Sequence, residues 1–256
     1  MRILIISGHG AGDSGAVAKI GSKTYKEATE TRTMAKKLRT QLLKYKNVTV
    51  DLYPTNRNAF EDIKSGKLQV DFKMYDYIIE LHFNACVRDL VGNGKTTGTE
   101  IYVTKVDPTI KTEESIVKGI ASVGLKNRGV KKSNFTVIYN AYQKCSVESA
   151  LLEICFIDDA DDVKVYTKNK DKIATKIAQA IATSYGLKLK STGIQVGDKI
   201  TIKSGAKDLN TGKKYSSFVY KETYQVHRID EGNKIAFGKN GITTGYCLKK
   251  YVKEVV

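Results

Sequence analysis

Imidazole is scarce in this chain: of 256 residues, three are histidine, namely His9, His82 and His227. Two of them fall where a strand-like segment ends. His9 follows Arg2 to Ser7 (RILIIS) within Ser7-Gly8-His9-Gly10, whose glycines let the backbone approach a ligand closely. His82 stands near the end of Tyr75 to Phe83, within Glu80-Leu81-His82-Phe83-Asn84. In an open α/β sheet, sites are built at the C-terminal edge of the strands. One histidine at a strand end is commonly a hydrogen-bonded structural residue, whereas two at matching ends point to a shared metal. A catalytic zinc site takes three protein ligands and keeps a fourth position open. The third ligand is expected near His9, and two carboxylates compete for the role. Glu27 opens the first helix, where the loop leaving His9 ends, and Glu30 lies one turn later on the same face. A carboxylate in a helix's first turn also compensates the helix dipole.

Glu153 is the second anomaly. It interrupts Ala150-Leu151-Leu152-Glu153-Ile154-Cys155-Phe156, a strand otherwise wholly apolar. A buried carboxylate is costly unless it is paired with a cation. Burial also raises its pKa, which suits a general base that must later return its proton. An ion pair with a lysine or arginine is the structural alternative.

The elements that must carry these residues alternate between strand and helix. Arg2–Ser7 reads as a buried strand, Gly8 to Lys23 as a polar, glycine-rich loop, and Glu27 to about Tyr45 as a helix with Met34, Leu38, Leu42 and Tyr45 at spacings of three and four. Further strands are expected at Val48–Tyr53, Tyr75–Phe83, Thr99–Thr104, Val137–Asn140 and Ala150–Ile157, and helices at Arg57–Ile63, Glu113–Leu125 and Ile173–Tyr185. Asp158 to Asp162 reads as a turn or helix start, its acidic residues suited to a helix N-terminus. The fold class is therefore α/β, a twisted, mostly parallel sheet between helices. Beyond Gly186 the rhythm breaks. Lys188 to Gly193 reads as a linker, and from Gln195 short strands recur between glycines, at Asp198–Lys203, Tyr215–Tyr220, Tyr224–Ile229, Lys234–Phe237 and Thr244–Leu248, as in a small all-β barrel.

Composition narrows the partners. The chain carries 43 Lys+Arg against 27 Asp+Glu, a net charge of +16, and this excess seeks a polyanion. Both parts share it, net +10 up to residue 190 and net +6 beyond. No apolar run is long enough to insert in a membrane, and Ile3–Ile6 is too short for the core of a signal peptide. No nucleic-acid-binding motif is recognisable. Cys86, Cys145, Cys155 and Cys247 form no C-x-x-C pair and are expected to be free thiols.

Separated motifs, in order along the chain, carry a resemblance. Strand-Gly8-His9-Gly10 with Asp13-Ser14-Gly15-Ala16, Glu27 opening a helix, His82-Phe83-Asn84-Ala85, Gly98-Thr99-Glu100-Ile101-Tyr102, Asn127-Arg128-Gly129-Val130-Lys131, and Leu152-Glu153 with Phe156-Ile157 together resemble the zinc-dependent N-acetylmuramoyl-L-alanine amidases of the amidase-3 family. Cys86 and Cys155 depart from the family pattern; Cys155 stands where glycine is usual. The resemblance implies Zn2+ held by His9, Glu27 and His82, with Glu27 preferred to Glu30, and Glu153 as catalytic base. Asn84 and Arg128 would orient the site or the substrate. The tail, through Val196-Gly197-Asp198-Lys199-Ile200, Tyr224-Gln225-Val226-His227 and Thr244-Gly245-Tyr246, resembles the SH3-like wall-binding modules of phage endolysins.

The organisation implied is a catalytic zinc amidase domain over 1–188, a linker over 189–194 and an SH3-like cell-wall-binding domain over 195–256. The implied activity is hydrolysis of the amide between N-acetylmuramic acid and the L-alanine of the stem peptide. The partners implied are bacterial peptidoglycan and anionic wall polymers, with neither nucleic acid nor membrane insertion, and the oligomeric state left open. An endolysin of this kind is made in the cytoplasm and reaches the wall through a membrane hole formed by another protein. The rival readings are a zinc peptidase or deacetylase acting on the wall and a non-catalytic polyanion-binding protein.

Overall fold

Ile3, Leu4, Ile5 and Ile6 are all inaccessible to solvent, as a strand covered on both faces requires. They form the centre of β1 (Arg2–Ser7) in the computed structural model, which describes every residue except Ala11, Ser191, Thr192 and Val256. Ala11 of the expected loop, and Ser191 and Thr192 of the expected linker, thus lie outside the described residues. The chain divides into two compact units, Met1–Leu189 and Lys190–Val256.

After β1, the first unit contains β2 (Val17–Ile20), β3 (Lys23–Lys26), α1 (Glu27–Leu42), β4 (Thr49–Leu52), α2 (Ala59–Lys64), β5 (Tyr77–Asn84), β6 (Thr99–Val103), α3 (Lys111–Ala121), β7 (Asn127–Lys132), α4 (Thr136–Tyr139), β8 (Glu148–Phe156) and α5 (Ala160–Ser184). Six strands form one sheet in the order β4-β1-β5-β8-β6-β7. Neighbours are parallel except at β8 and β6, which run antiparallel. The C-terminal ends of β1, β5 and β8 therefore share an edge with the N-terminal ends of β6 and β7.

Alternation sends side chains to two cores. Ile3, Ile5, Ile79, Leu81, Leu152 and Ile154 meet α1, α3 and α5, through residues such as Met34, Leu38, Ile116, Ile120, Ile173 and Ile177. Leu4, Ile6 and Ile78 face the opposite side, with Phe72, Val137 and Ala141. Each fully buried aliphatic or aromatic side chain contributes about 1.5–3 kcal/mol relative to exposure. The sheet is thus held between helices, mixed α/β and mostly parallel.

Several elements differ from expectation. The Gly8–Lys23 segment contains β2, which pairs with β3 across Gly21 and Ser22; Gly21 takes the positive φ of +57° that a two-residue turn needs. Val137–Asn140 is helical, being part of α4 and of the π-turn Asn140–Lys144, because Val137, Ile138 and Ala141 meet the core at helical spacing. Asn127–Lys132 is a strand without apolar alternation. α5 begins at Ala160, where the Asp159 side chain accepts from the amides of Asp161 and Asp162.

The second unit contains β9 (Lys199–Ile202), β10 (Thr223–Asp230), β11 (Lys234–Lys239), β12 (Ile242–Leu248) and β13 (Val252–Glu254). They form an antiparallel sheet in the order β12-β11-β10-β9-β13. Its own core includes Ile200, Ile202, Val226, Ile235, Phe237 and Cys247. Tyr215–Tyr220, expected as a strand, ends in the 3-10 turn Ser217–Tyr220. There the Tyr215 hydroxyl donates to Asp208 and to the Tyr246 carbonyl, which holds the segment by side-chain bonds outside the sheet ladder. Among the described residues no helix is long and apolar enough to cross a membrane, and all four cysteines are free.

Candidate active site

Three strands and one helix bring the sequence-derived candidates to one edge. His9 stands just past β1, between two glycines, with a left-handed φ of +63°. His82 and Glu153 are register partners on β5 and β8. Glu27 is the first residue of α1, and the base of the β2–β3 hairpin fixes it. Its backbone amide donates to the Ala16 carbonyl, and the Ala16 amide donates to its Oε2 at 2.9 Å. Gly8 permits the approach of the second histidine, since a Cβ there would overlap the His82 ring.

Glu27 is 3% exposed and lies between the two rings. Its Oε2 is 3.1 Å from His9 Nε2 and its Oε1 is 2.9 Å from His82 Nδ1. The ring centroids are 5.0 Å apart in an edge-on arrangement. One ligand atom from each of His9, Glu27 and His82 falls within 4.8 Å of the others. Two imidazoles and a buried carboxylate converging in this way are a suitable donor set for a first-row divalent cation.

The remaining ring nitrogens are also engaged. His9 Nδ1 is 2.7 Å from Asp13 Oδ2, and His82 Nε2 is 3.3 Å from Glu80 Oε1. A carboxylate behind a ligating histidine fixes its tautomer and orientation. The charges agree with this arrangement. Hydrogen bonding to Glu27 raises the His9 pKa. Burial opposes the charged form of His82, yet Glu80 and Glu27 hold its pKa well above the usual value. Burial likewise opposes ionised Glu27, but bonds from His82 and His9 hold its carboxyl far below the usual range.

Glu153 has no lysine or arginine partner among the described residues, and its Oε2 is buried without a hydrogen bond. Burial, with the charges of Glu27, Glu100 and Glu80 adding and His82 opposing, pushes its carboxyl up to about 7. Glu30, the competing carboxylate, turns away from the histidines and accepts from Tyr166 at 2.9 Å and from Lys170. His227 lies in the second unit, where its Nδ1 is 3.1 Å from Thr243 Oγ1. A cavity of about 370 Å³ reaches His9 and His82 and is walled partly by Phe60, Phe135 and Leu151.

Three residues of this edge were not singled out as candidates in the sequence. Glu80 carried the same signal as Glu153, a carboxylate inside an apolar strand. Asp13 and Glu100 gave none beyond the motifs that contain them. Asp89, Asp159 and Asp161 also cluster, but their oxygens receive backbone amides of Gly92, Thr97, Asn93 and Gly94, a loop-fastening role.

An α/β sheet with a His-Glu-His cluster and an unpaired buried glutamate at its strand ends has the make-up of a metal-dependent hydrolase site. The family model for N-acetylmuramoyl-L-alanine amidase, Amidase_3, matches residues 3–183, and the chain belongs to that family. An uncharacterised protein of Clostridium perfringens (strain 13 / Type A) is 28% identical over 186 residues, covering 71% of this chain and 51% of the relative. An endolysin of Bacillus phage SPP1 is 28% identical over 196 residues, covering 73% and 67%. This chain spans about half the length of the Clostridium perfringens relatives it matches. Among solved structures, the catalytic domain of CwlV, an N-acetylmuramoyl-L-alanine amidase from Bacillus (Paenibacillus) polymyxa var. colistinus, superposes with a TM-score of 0.58 at 24% identity, covering 73% of this chain and 100% of that one. At that identity the likeness is one of fold.

Proposed function

We propose that the chain is a zinc-dependent peptidoglycan amidase that cleaves the bond between N-acetylmuramic acid and the L-alanine of the stem peptide, in the manner of a phage endolysin acting on a Gram-positive wall. The observation that carries this reading is the convergence of His9, Glu27 and His82 beside Glu153, whose free carboxylate oxygen is buried on the adjoining strand. His9, Glu27 and His82 would hold the ion, and a bound zinc ion supplies Lewis acidity toward the scissile carbonyl and toward water.

The protein's own groups do the rest. Asp13 and Glu80 hold the two imidazoles by their outer nitrogens, so the rings keep the orientation the donor set needs. Glu153, poised near neutrality, takes a proton from the attacking water and delivers it to the leaving nitrogen. The second unit, 190–256, is read as the wall-binding domain: basic, separately cored and SH3-like in motif. Its Tyr224 is buried and Tyr215, Tyr220 and Tyr251 pack against the core, so most of its tyrosines serve packing.

Digestion of purified cell walls with and without a chelator tests the reading. New N-terminal L-alanine and free muramic acid lactyl groups, lost with chelation and regained on adding zinc, are the expected products. New ends elsewhere in the peptide, or loss of acetyl groups alone, would overturn it in favour of a peptidase or a deacetylase.

A further inference from the structure

The sheet edge continues past Glu153 to a cationic group that the chemistry above does not use. Glu100 on β6 is the register partner of Glu153 and is 1% exposed. Four donors reach its carboxylate: Asn84 Nδ2 at 2.9 Å, the Tyr102 hydroxyl at 2.8 Å, Lys131 Nζ at 2.6 Å, and Arg128 Nε. Lys131 and Arg128 both rise from β7 to this one carboxylate, so the group keeps one uncompensated positive charge.

Arg128 is the member arranged to use it. Its Nε is tied to Glu100, and its guanidinium lies over the Phe156 ring, 5.0 Å from the centroid. Among the described residues its two terminal nitrogens have no hydrogen-bond partner, and its side chain is 29% exposed. A guanidinium fixed by its inner nitrogen and one face presents its outer edge as a two-pronged donor, the geometry that matches a carboxylate.

Along the edge the order is His9, His82, Glu153, Glu100, Arg128. Glu153 delivers a proton to the leaving nitrogen, which belongs to the peptide, so the peptide departs on the side of Glu153 and the acyl part stays with His9 and His82. Cross-strand side chains stand about 5 Å apart and a hydrogen bond adds about 3 Å, which puts the guanidinium on the order of 8 Å from Glu153, or roughly two extended residues. We propose that Arg128 binds a carboxylate on the second residue of the leaving peptide, so that the peptide runs from Glu153 across β6 toward β7. This rests on the amidase reading and adds the polarity of the substrate to it.

The test uses the full chain and two soluble N-acetylmuramoyl-L-alanyl tripeptides, identical except that the free carboxyl of the second residue is an acid in one and a primary amide in the other. The unsubstituted chain is expected to favour the acid by about tenfold in kcat/KM, the effect of one charge-assisted bond. Arg128→Gln is expected to bring the ratio to about one with zinc content retained, and Arg128→Lys to keep part of the preference. A ratio that Arg128→Gln leaves unchanged, or an unsubstituted chain that does not distinguish the substrates, overturns the assignment while the amidase reading stands. Cleavage of neither substrate at the muramoyl–alanine bond overturns the amidase reading and this assignment with it.

Discussion

Glu153 and Glu27 are carboxylates at one sheet edge, on either side of His82, with opposite proposed tasks, and their surroundings separate them. Glu27 is bracketed by two imidazoles and stays ionised, as the ligand role proposed for it requires. Glu153 has burial against it and an oxygen without a partner, so its proton affinity rises to the range of a base that works near neutrality. Glu153→Gln should therefore keep its full zinc content and lose wall-lysing activity by about 10²–10⁴-fold; unchanged clearance of a wall suspension would remove Glu153 from the reaction. His82→Ala should lose the metal itself, and a stoichiometric zinc content by elemental analysis would defeat the ligand assignment. Glu80 acts one bond further out. Glu80→Gln should weaken zinc affinity by about 10–100-fold, the usual loss when a ligand's supporting carboxylate is removed, and competition with a chromogenic chelator measures it.

The interlock of α3 with β5 leaves another buried carboxyl, on a helix that carries none of the candidate ligands. Glu113, in the first turn of α3, is 4% exposed and accepts from the Tyr77 hydroxyl at 2.7 Å. Burial pushes its carboxyl up to about 7, with Asp107 and Glu148 adding. A raised carboxyl pKa means that the folded state holds a proton the unfolded chain has already lost. Stability is thus unaffected by this group below about pH 4.5, falls between about pH 4.5 and about 7, and is level above that, the whole loss being about 3 kcal/mol. Glu113→Gln keeps an acceptor for Tyr77 and cannot ionise, so it should match the unsubstituted chain in urea midpoint at pH 4 and exceed it at pH 8. Elements of this kind were legible where one pattern dominated. β1, β5, β8 and α1 announced themselves by apolar runs or by Met34, Leu38 and Leu42. β7 did not, because Asn127-Arg128-Gly129-Val130-Lys131-Lys132 has no apolar alternation and is held by pairing with β6. α4 was hidden because Val137 and Ile138 fit either period in so short a run. At the site, His9, His82 and Glu153 stood out as chemically odd for their positions. Position alone left Glu27 and Glu30 in competition and the family resemblance favoured Glu27; the fold adds that packing against α5 turns Glu30 to Tyr166 and Lys170.

The whole molecule consists of two units that each own a core. Ile200, Val226, Ile235 and Phe237 form the interior of the second unit, and the Ile3–Ile6 strand is central to the sheet of the first. A chain ended at Leu189 should therefore fold and cleave a soluble muramoyl peptide as the full chain does, since His9, Glu27, His82, Glu153 and Arg128 all lie before that point. On intact walls the outcome should differ. The residues beyond 190 hold a net charge of +6 out of the chain's +16, so both units carry the excess positive charge that an anionic polymer would attract. If the second unit binds the wall through contacts besides charge, residues 190–256 alone should still sediment with walls at 1 M salt, where the screening length is only about 3 Å. The first unit, which on this reading meets the wall through its charge and its substrate site only, should lose most of its retention between about 0.15 M and 1 M salt. Equal sedimentation of the full chain and the shortened chain at every salt concentration would show that the second unit is not the wall-binding part.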